Sequence, residues 1–256
     1  MYKPLLLLLF LAIAGCRTST DKKEVPEPTS SSTAFTIEDT VKNPSDITGA
    51  INIMGYFVEP LFAGVLKEDG RFKIELPTDF DQITKKAFEA YNTSPIAAYE
   101  LNYTNALESF PNADILSFTG KEAKLAFAGK YYRFEVIGTN ENDYIYPASS
   151  QNFVNYVIGT KDAVAETGHH YYYIYAKDPF SIKGESETKH LFEDGTDEIY
   201  LKTDSYNLKI KEGWNLIRYE INKLSESSLG TRSISKSSVF NENINTMPDT
   251  WFMGNY

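Results

Sequence analysis

Glu68-Asp69-Gly70-Arg71-Phe72-Lys73-Ile74-Glu75-Leu76-Pro77 is the stretch on which the fold class turns. Phe72, Ile74 and Leu76 alternate with Lys73 and Glu75, the period of two that marks a half-buried strand. Gly70 supplies the positive φ that a tight turn needs, so residues 61–66 and 71–76 read as a hairpin. Working outward, residues 47–54 read as a strand carrying Ile47, Gly49, Ile51 and Ile53 on one face. On the other side, Thr78 with Asp81 three residues later signals a helix start, and Phe80, Ile83, Ala87 and Tyr91 recur at helical spacing.

Beyond that helix the strand pattern resumes over residues 124–137, 153–158, 171–176, 180–184, 199–202, 206–210 and 214–221, separated by Asn, Asp, Gly and Pro clusters. Residues 225–249 read as polar and irregular before a short apolar strand at Trp251-Phe252-Met253. Many short strands without crossover helices predict a mainly β chain: an antiparallel β-sandwich, as one domain or two small β modules, with one short amphipathic helix. The expected division is 46–93 for an N-terminal β region with the helix and 94–256 for a C-terminal β-sandwich domain.

The N-terminal region is of a different character. Residues 5–14 are apolar and are followed by Gly15-Cys16. Ten apolar residues are too few to cross about 30 Å of hydrocarbon and fit the core of a secretory signal. The run Leu11-Ala12-Ile13-Ala14-Gly15-Cys16 resembles a bacterial lipobox. That resemblance implies a signal peptide over 1–15, cleavage before Cys16, and acylation of Cys16, the only cysteine in the chain. Its sorting logic, with Arg17 rather than Asp after the cysteine, points to the outer membrane of a Gram-negative bacterium. Residues 16–45 are rich in Thr, Ser, Lys, Glu and Pro, a composition expected of a disordered tether behind the lipidated cysteine.

A second resemblance rests on the body. Ile47-Thr48-Gly49 leading into the 68–77 hairpin resembles the opening of transthyretin-like and carboxypeptidase-regulatory-like β modules. Tyr172-Tyr173-Ile174-Tyr175-Ala176-Lys177-Asp178, Ile182-Lys183-Gly184 and Leu208-Lys209-Ile210-Lys211-Glu212-Gly213-Trp214-Asn215 are similar to the second half of uncharacterised bacterial envelope lipoproteins. The implication is a β-rich extracytoplasmic domain, with no catalytic residues to carry over.

Composition excludes several functions. With 42% hydrophobic residues the chain can fill a core, and with 25 basic against 35 acidic residues it has no general attraction for nucleic acid. One cysteine and three histidines exclude a disulfide framework and a Cys-rich zinc site. His169 and His170 are neighbours in a strand and so face opposite ways, while His190 stands alone. Glu193, Asp194 and Asp197, crowded with Glu198 in one loop, are oxygen ligands of the type calcium takes, though a solvated acidic turn explains them as simply. No phosphate-binding glycine loop or nucleophile elbow is present, and no cofactor is implied.

The tyrosines remain. Tyr131, Tyr172 and Tyr175, with their neighbours, could form an exposed strip that binds a sugar or a protein, or could pack as ordinary strand residues. The sequence therefore predicts a lipid-anchored, non-enzymatic structural or interaction module of the cell envelope. Its partners are the bilayer, through acylated Cys16, and an envelope protein or glycan. A carbohydrate- or other ligand-binding lipoprotein is the second reading, and an envelope hydrolase whose site no motif reveals is the third.

Overall fold

The computed structural model describes residues 33–43, 48–54, 61–92, 103–127, 133–137, 143–160, 163–246 and 250–255. The chain is mainly β. In order it forms β1 (Thr33–Thr40), β2 (Gly49–Met54), β3 (Leu61–Leu66), β4 (Arg71–Pro77), α1 (Phe80–Asn92), β5 (Thr104–Asn105), α2 (Ala106–Ser109), β6 (Ser117–Thr119), β7 (Lys124–Phe127), β8 (Arg133–Ile137), β9 (Asp143–Pro147) and α3 (Gln151–Ile158). Then come β10 (Gly168–Ala176), β11 (Phe180–Leu191), β12 (Ile199–Ile210), β13 (Gly213–Glu226), β14 (Arg232–Glu242) and β15 (Trp251–Asn255).

Two sheets pack face to face. One has seven strands in the order β1-β4-β3-β2-β8-β9-β15, the other eight in the order β5-β7-β10-β13-β14-β12-β11-β6. The 61–76 hairpin forms as its sequence predicts. Leu66 pairs with Phe72, Gly70 has φ +79°, and Phe72, Ile74 and Leu76 are buried while Arg71 and Lys73 are exposed. The seven-stranded sheet curls until its two ends touch, where Val41 bridges Trp251 and the Lys42 amide donates to the Trp251 carbonyl. Its inward residues form one apolar cluster, which Tyr171, Tyr173 and Leu216 of the eight-stranded sheet complete. Helix α1 lies across the end where the sheets meet. Its Phe80 packs against Trp214 at 4.8 Å and Tyr175 at 5.4 Å, and Trp214 Nε1 donates to the Pro77 carbonyl at 2.8 Å.

Several expectations need correction. The stretch expected to be disordered up to residue 45 contains β1, which pairs along β4 and buries Ile37 completely. An edge strand needs only one apolar face, so threonine-rich, sparsely apolar sequence suffices there. Asn43 then fixes the segment to the body, since its Oδ1 accepts from the Met253 amide. The boundary expected at 93/94 does not separate sheets, because β8, β9 and β15 lie in the same sheet as β1–β4.

Residues 153–158, expected to be a strand, are helix α3. Ser150 Oγ accepts from the Phe153 amide, and Gly159 ends the helix at φ +77°. Residues 124–137 are two strands in different sheets, β7 and β8. Residues 225–249, expected to be irregular, contain all of β14 and the end of β13. The eight-stranded sheet is mixed, because β12 and β14 run parallel.

Candidate functional site

The tyrosine-rich strand β10 divides its side chains between two faces. Tyr171, Tyr173 and Tyr175 point toward the seven-stranded sheet; Tyr172, Ile174 and Ala176 point away from it. Tyr175 lies edge-on to Trp214 at 5.3 Å, and its hydroxyl donates to the Thr78 carbonyl. Tyr172 is half-buried in the cluster on the other face. The expected exposed strip of Tyr172 and Tyr175 therefore does not form, because a shift of three residues along a strand reverses the face. Tyr131 lies outside the described residues.

The adjacent histidines also separate. His169 Nδ1 lies 3.3 Å from an Arg218 guanidinium nitrogen on the inner face. His170 is on the outer face, between the rings of Phe153, Tyr172 and Tyr219 at 5.4–5.9 Å. Burial pushes its imidazole down to about 4, so it is neutral at pH 7, and its buried Nδ1 has no hydrogen-bond partner among the described residues. His190 stacks on Tyr200 and bonds to Thr188.

The acidic loop at 193–198 forms the far tip of the eight-stranded sheet together with the β13–β14 turn. Asp194 accepts from the Thr196 amide and hydroxyl and from Ser227 Oγ; Glu198 accepts from the amide and hydroxyl of Ser228. The hydroxyls of Ser227 and Thr196 hold the Asp194 carboxyl down at about 2. Asp194 is thus engaged by hydrogen bonds, while Glu193 and Asp197 are exposed. The calcium candidates are not gathered, and no group of three His, Cys, Asp or Glu side chains suited to a metal ion occurs among the described residues.

What the tip does gather is apolar surface. Leu191 pairs across from Ile199, and Leu201 follows two residues on, so all three share one face of the sheet. Their exposures are 58%, 61% and 46%, and Leu229 at the neighbouring turn is 69% exposed. The hydrogen bonds across the two turns hold this surface in one arrangement.

A second feature crosses the outer face of the same sheet. Strand register sets His170, Tyr219, Val239 and Tyr206 in one row, and Ile221, Ser237, Asp204 and Ser186 in the next. Ser237 Oγ donates to Asp204 Oδ1 at 2.5 Å, and Lys202 Nζ lies 3.1 Å from Asp204 Oδ2. Asp204 and Ser237 are buried. On one side of this band Phe110, after α2, packs against Phe180 at 5.9 Å and edge-on to Tyr206 at 6.5 Å; on the other, Phe153, Val154 and Ile158 of α3 share a buried cluster with Ile221. Burial and the nearby Asp204 charge push the Tyr206 phenol up to about 12, and burial raises Tyr172 and Tyr219 as well. All three remain protonated hydroxyls. Sequence reasoning singled out Tyr172 but missed Asp204, Lys202, Ser237, Tyr206 and Tyr219. The available signal was a carboxylate between two otherwise alternating strand segments, at Lys202-Thr203-Asp204-Ser205-Tyr206, on the same face as its lysine and tyrosine.

No protein family, curated protein or solved structure matches this chain.

Proposed function

We propose that this chain is an acyl-anchored cell-envelope lipoprotein of the outer membrane, whose body is a non-enzymatic interaction module for another envelope protein. The anchor rests on Cys16 and the apolar run before it. Two or more acyl chains hold a protein firmly to a bilayer, each buried CH₂ contributing about 0.8 kcal/mol. No helix among the described residues is long and apolar enough to cross a membrane. Sixteen residues separate Cys16 from Thr33 in the sequence.

One observation supports the interaction role: the chain enters the body at the end opposite the apolar tip. Thr33 pairs with Pro77, whose carbonyl takes the indole of Trp214 near the start of β13. The tip lies at the other end of β13, a strand of 14 residues that reaches roughly 40 Å. An anchor at one end leaves Leu191, Ile199, Leu201 and Leu229 facing away from the bilayer. Exposed Glu193 and Asp197 lie in the same turn, and exposed Lys189 is the cross-strand partner of Leu201. With charges of both signs at its rim, the exposed apolar surface fits a protein partner that presents an apolar patch of its own.

Metabolic labelling with a clickable palmitate analogue tests the anchor. Wild-type protein becomes labelled and Cys16→Ala does not; persistent labelling of the variant refutes acylation at this residue. The tip is tested separately, by a photo-reactive residue at position 229 in intact cells.

A further inference from the structure

We propose that the open edge of β11 pairs with the same edge of a second copy of this chain, in an antiparallel, two-fold symmetric dimer centred on Thr188. The eight-stranded sheet ends unevenly on this side. Its outermost strand, β6, pairs with β11 only across Ser181, Ile182 and Lys183. Beyond Lys183 no strand among the described residues pairs with that side of β11, while its ladder with β12 runs to Leu191 without a register shift. Residues 184–191 thus present a row of backbone donors and acceptors on a regular strand, a template for another strand. Glu185 and residues 187–191 are exposed.

A regular open edge is ordinarily guarded by a proline, a bulge or charges that repel an incoming strand. This one has neither proline nor bulge, and its charges are arranged to attract its own copy. Glu187 and Lys189 are two residues apart and so share a face of the sheet. Neither takes part in an ion pair among the described residues. Glu185, by contrast, accepts from Ser205 Oγ at 2.7 Å and lies 4.0 Å from Lys236 Nζ.

Two-fold symmetry selects the register. In an antiparallel pair of identical strands, residues directly opposite each other share a face of the joined sheet. Centring on Thr188 sets Glu187 against the second copy's Lys189, and Lys189 against its Glu187, with the two Thr188 side chains facing each other. The second copy's β11 then ends at Leu191, opposite Glu185, before it reaches β6. Centring one residue earlier opposes the two copies' Glu187 and carries Leu191 onto the place of β6. Centring one residue later opposes their Lys189. Only the Thr188 register clear of β6 forms two ion pairs with no like charges opposed. The two eight-stranded sheets become one through the dyad, and Ile199, Leu201 and Leu229 stay clear of the shared edge.

The test is sedimentation equilibrium of the full-length protein in detergent, over about 1 to 200 μM. Wild type passes from monomer to dimer as concentration rises. Glu187→Lys and Lys189→Glu each raise the dissociation constant roughly tenfold or more, because each turns both ion pairs into like-charge pairs. The variant carrying both changes restores the pairs with their signs exchanged and dimerises within roughly threefold of wild type. Both side chains are exposed, so the unfolding midpoint is retained in all three variants. In a Cys16→Ala background, a short thiol cross-linker joins two copies of Thr188→Cys but not two copies of Glu38→Cys, on exposed β1. The proposal is overturned if wild type stays monomeric throughout the series, if either single charge reversal dimerises like wild type, if the double variant is no better than the single ones, or if Glu38→Cys cross-links as well as Thr188→Cys. Leu229→Ser leaves the dimer unchanged, and none of these results bears on an adduct to another protein at the tip, so the two readings fail independently.

Discussion

In the seven-stranded sheet the inward residues, among them Ile37, Ile51, Phe72, Ile74 and Ile145, meet in one apolar cluster against Trp251. In the eight-stranded sheet the same kind of strand residues serve three surroundings: the shared core, an outer face crossed by Asp204 and the tyrosines, and a tip with no cover on its leucines. The difference lies in closure. A sheet whose two ends meet has one inside and can fill it with aliphatic groups, whereas the longer strands of the other sheet, 11 to 14 residues in β11 to β14, leave surface uncovered at their far ends. The seven-stranded sheet is therefore the stability element, and the eight-stranded sheet carries the candidate sites.

The largest effect should come from breaking closure. Trp251 is fully buried, lies edge-on to Phe72 at 4.9 Å, and forms the bridge to Val41. Trp251→Ala should lower unfolding free energy by about 3–5 kcal/mol in denaturant titration. A loss below about 1 kcal/mol would mean that the seven-stranded sheet is not what holds the body together.

The second prediction concerns the outer face and pH. His170 has its folded-state value depressed, so above pH 6.5 it costs nothing, and as pH falls from 6.5 toward 4 the unfolded chain takes up a proton that the folded one refuses. Stability should fall through that window by about 3 kcal/mol at most. Replacing the ring by His170→Phe should flatten this part of the profile, and an unchanged acid limb would place the titrating group elsewhere. Asp194 acts lower on the scale. Its depressed carboxyl stabilises the tip above about pH 4, and this contribution disappears as pH falls toward 2, to be read as faster amide exchange at Thr196.

Smaller effects sharpen the contrast. Ser150→Ala removes the cap of α3, which shields the end of the outer face near His170, and should cost about 1 kcal/mol. Leu229→Ser at the tip should change stability by less than about 0.5 kcal/mol, because the side chain covers nothing. A larger loss there would mean that the leucine packs within the fold.

How much of this was legible in the sequence follows from where the pattern has a core beneath it. The 61–76 hairpin and the helix α1 follow the sequence reading because each pairs an apolar period with a turn or capping signal, and the terminal strand at Trp251 follows it from a short apolar run. Phe153-Val154-Asn155-Tyr156-Val157-Ile158 misled because it consists largely of strand-forming residues, and only Ser150 and Gly159 at its borders carry the helix signal. The far halves of β11 and β12 have little alternation because nothing covers one of their faces; Glu185, Glu187 and Lys189 are exposed. The band around Asp204 was illegible for another reason. Its members come from four strands, one pair of them parallel, and only the register brings them to one face.

The central claim is that function resides at the uncovered end of the eight-stranded sheet, away from the anchor. Its most direct measurement is site-specific photo-cross-linking in intact cells, comparing a reactive residue at position 229 with one at the exposed position 38 of the seven-stranded sheet. The account predicts a discrete protein adduct from 229, absent from 38 and lost when Leu191 and Leu201 are changed to Ser. Adducts of equal yield from both positions, or none from 229, would contradict it.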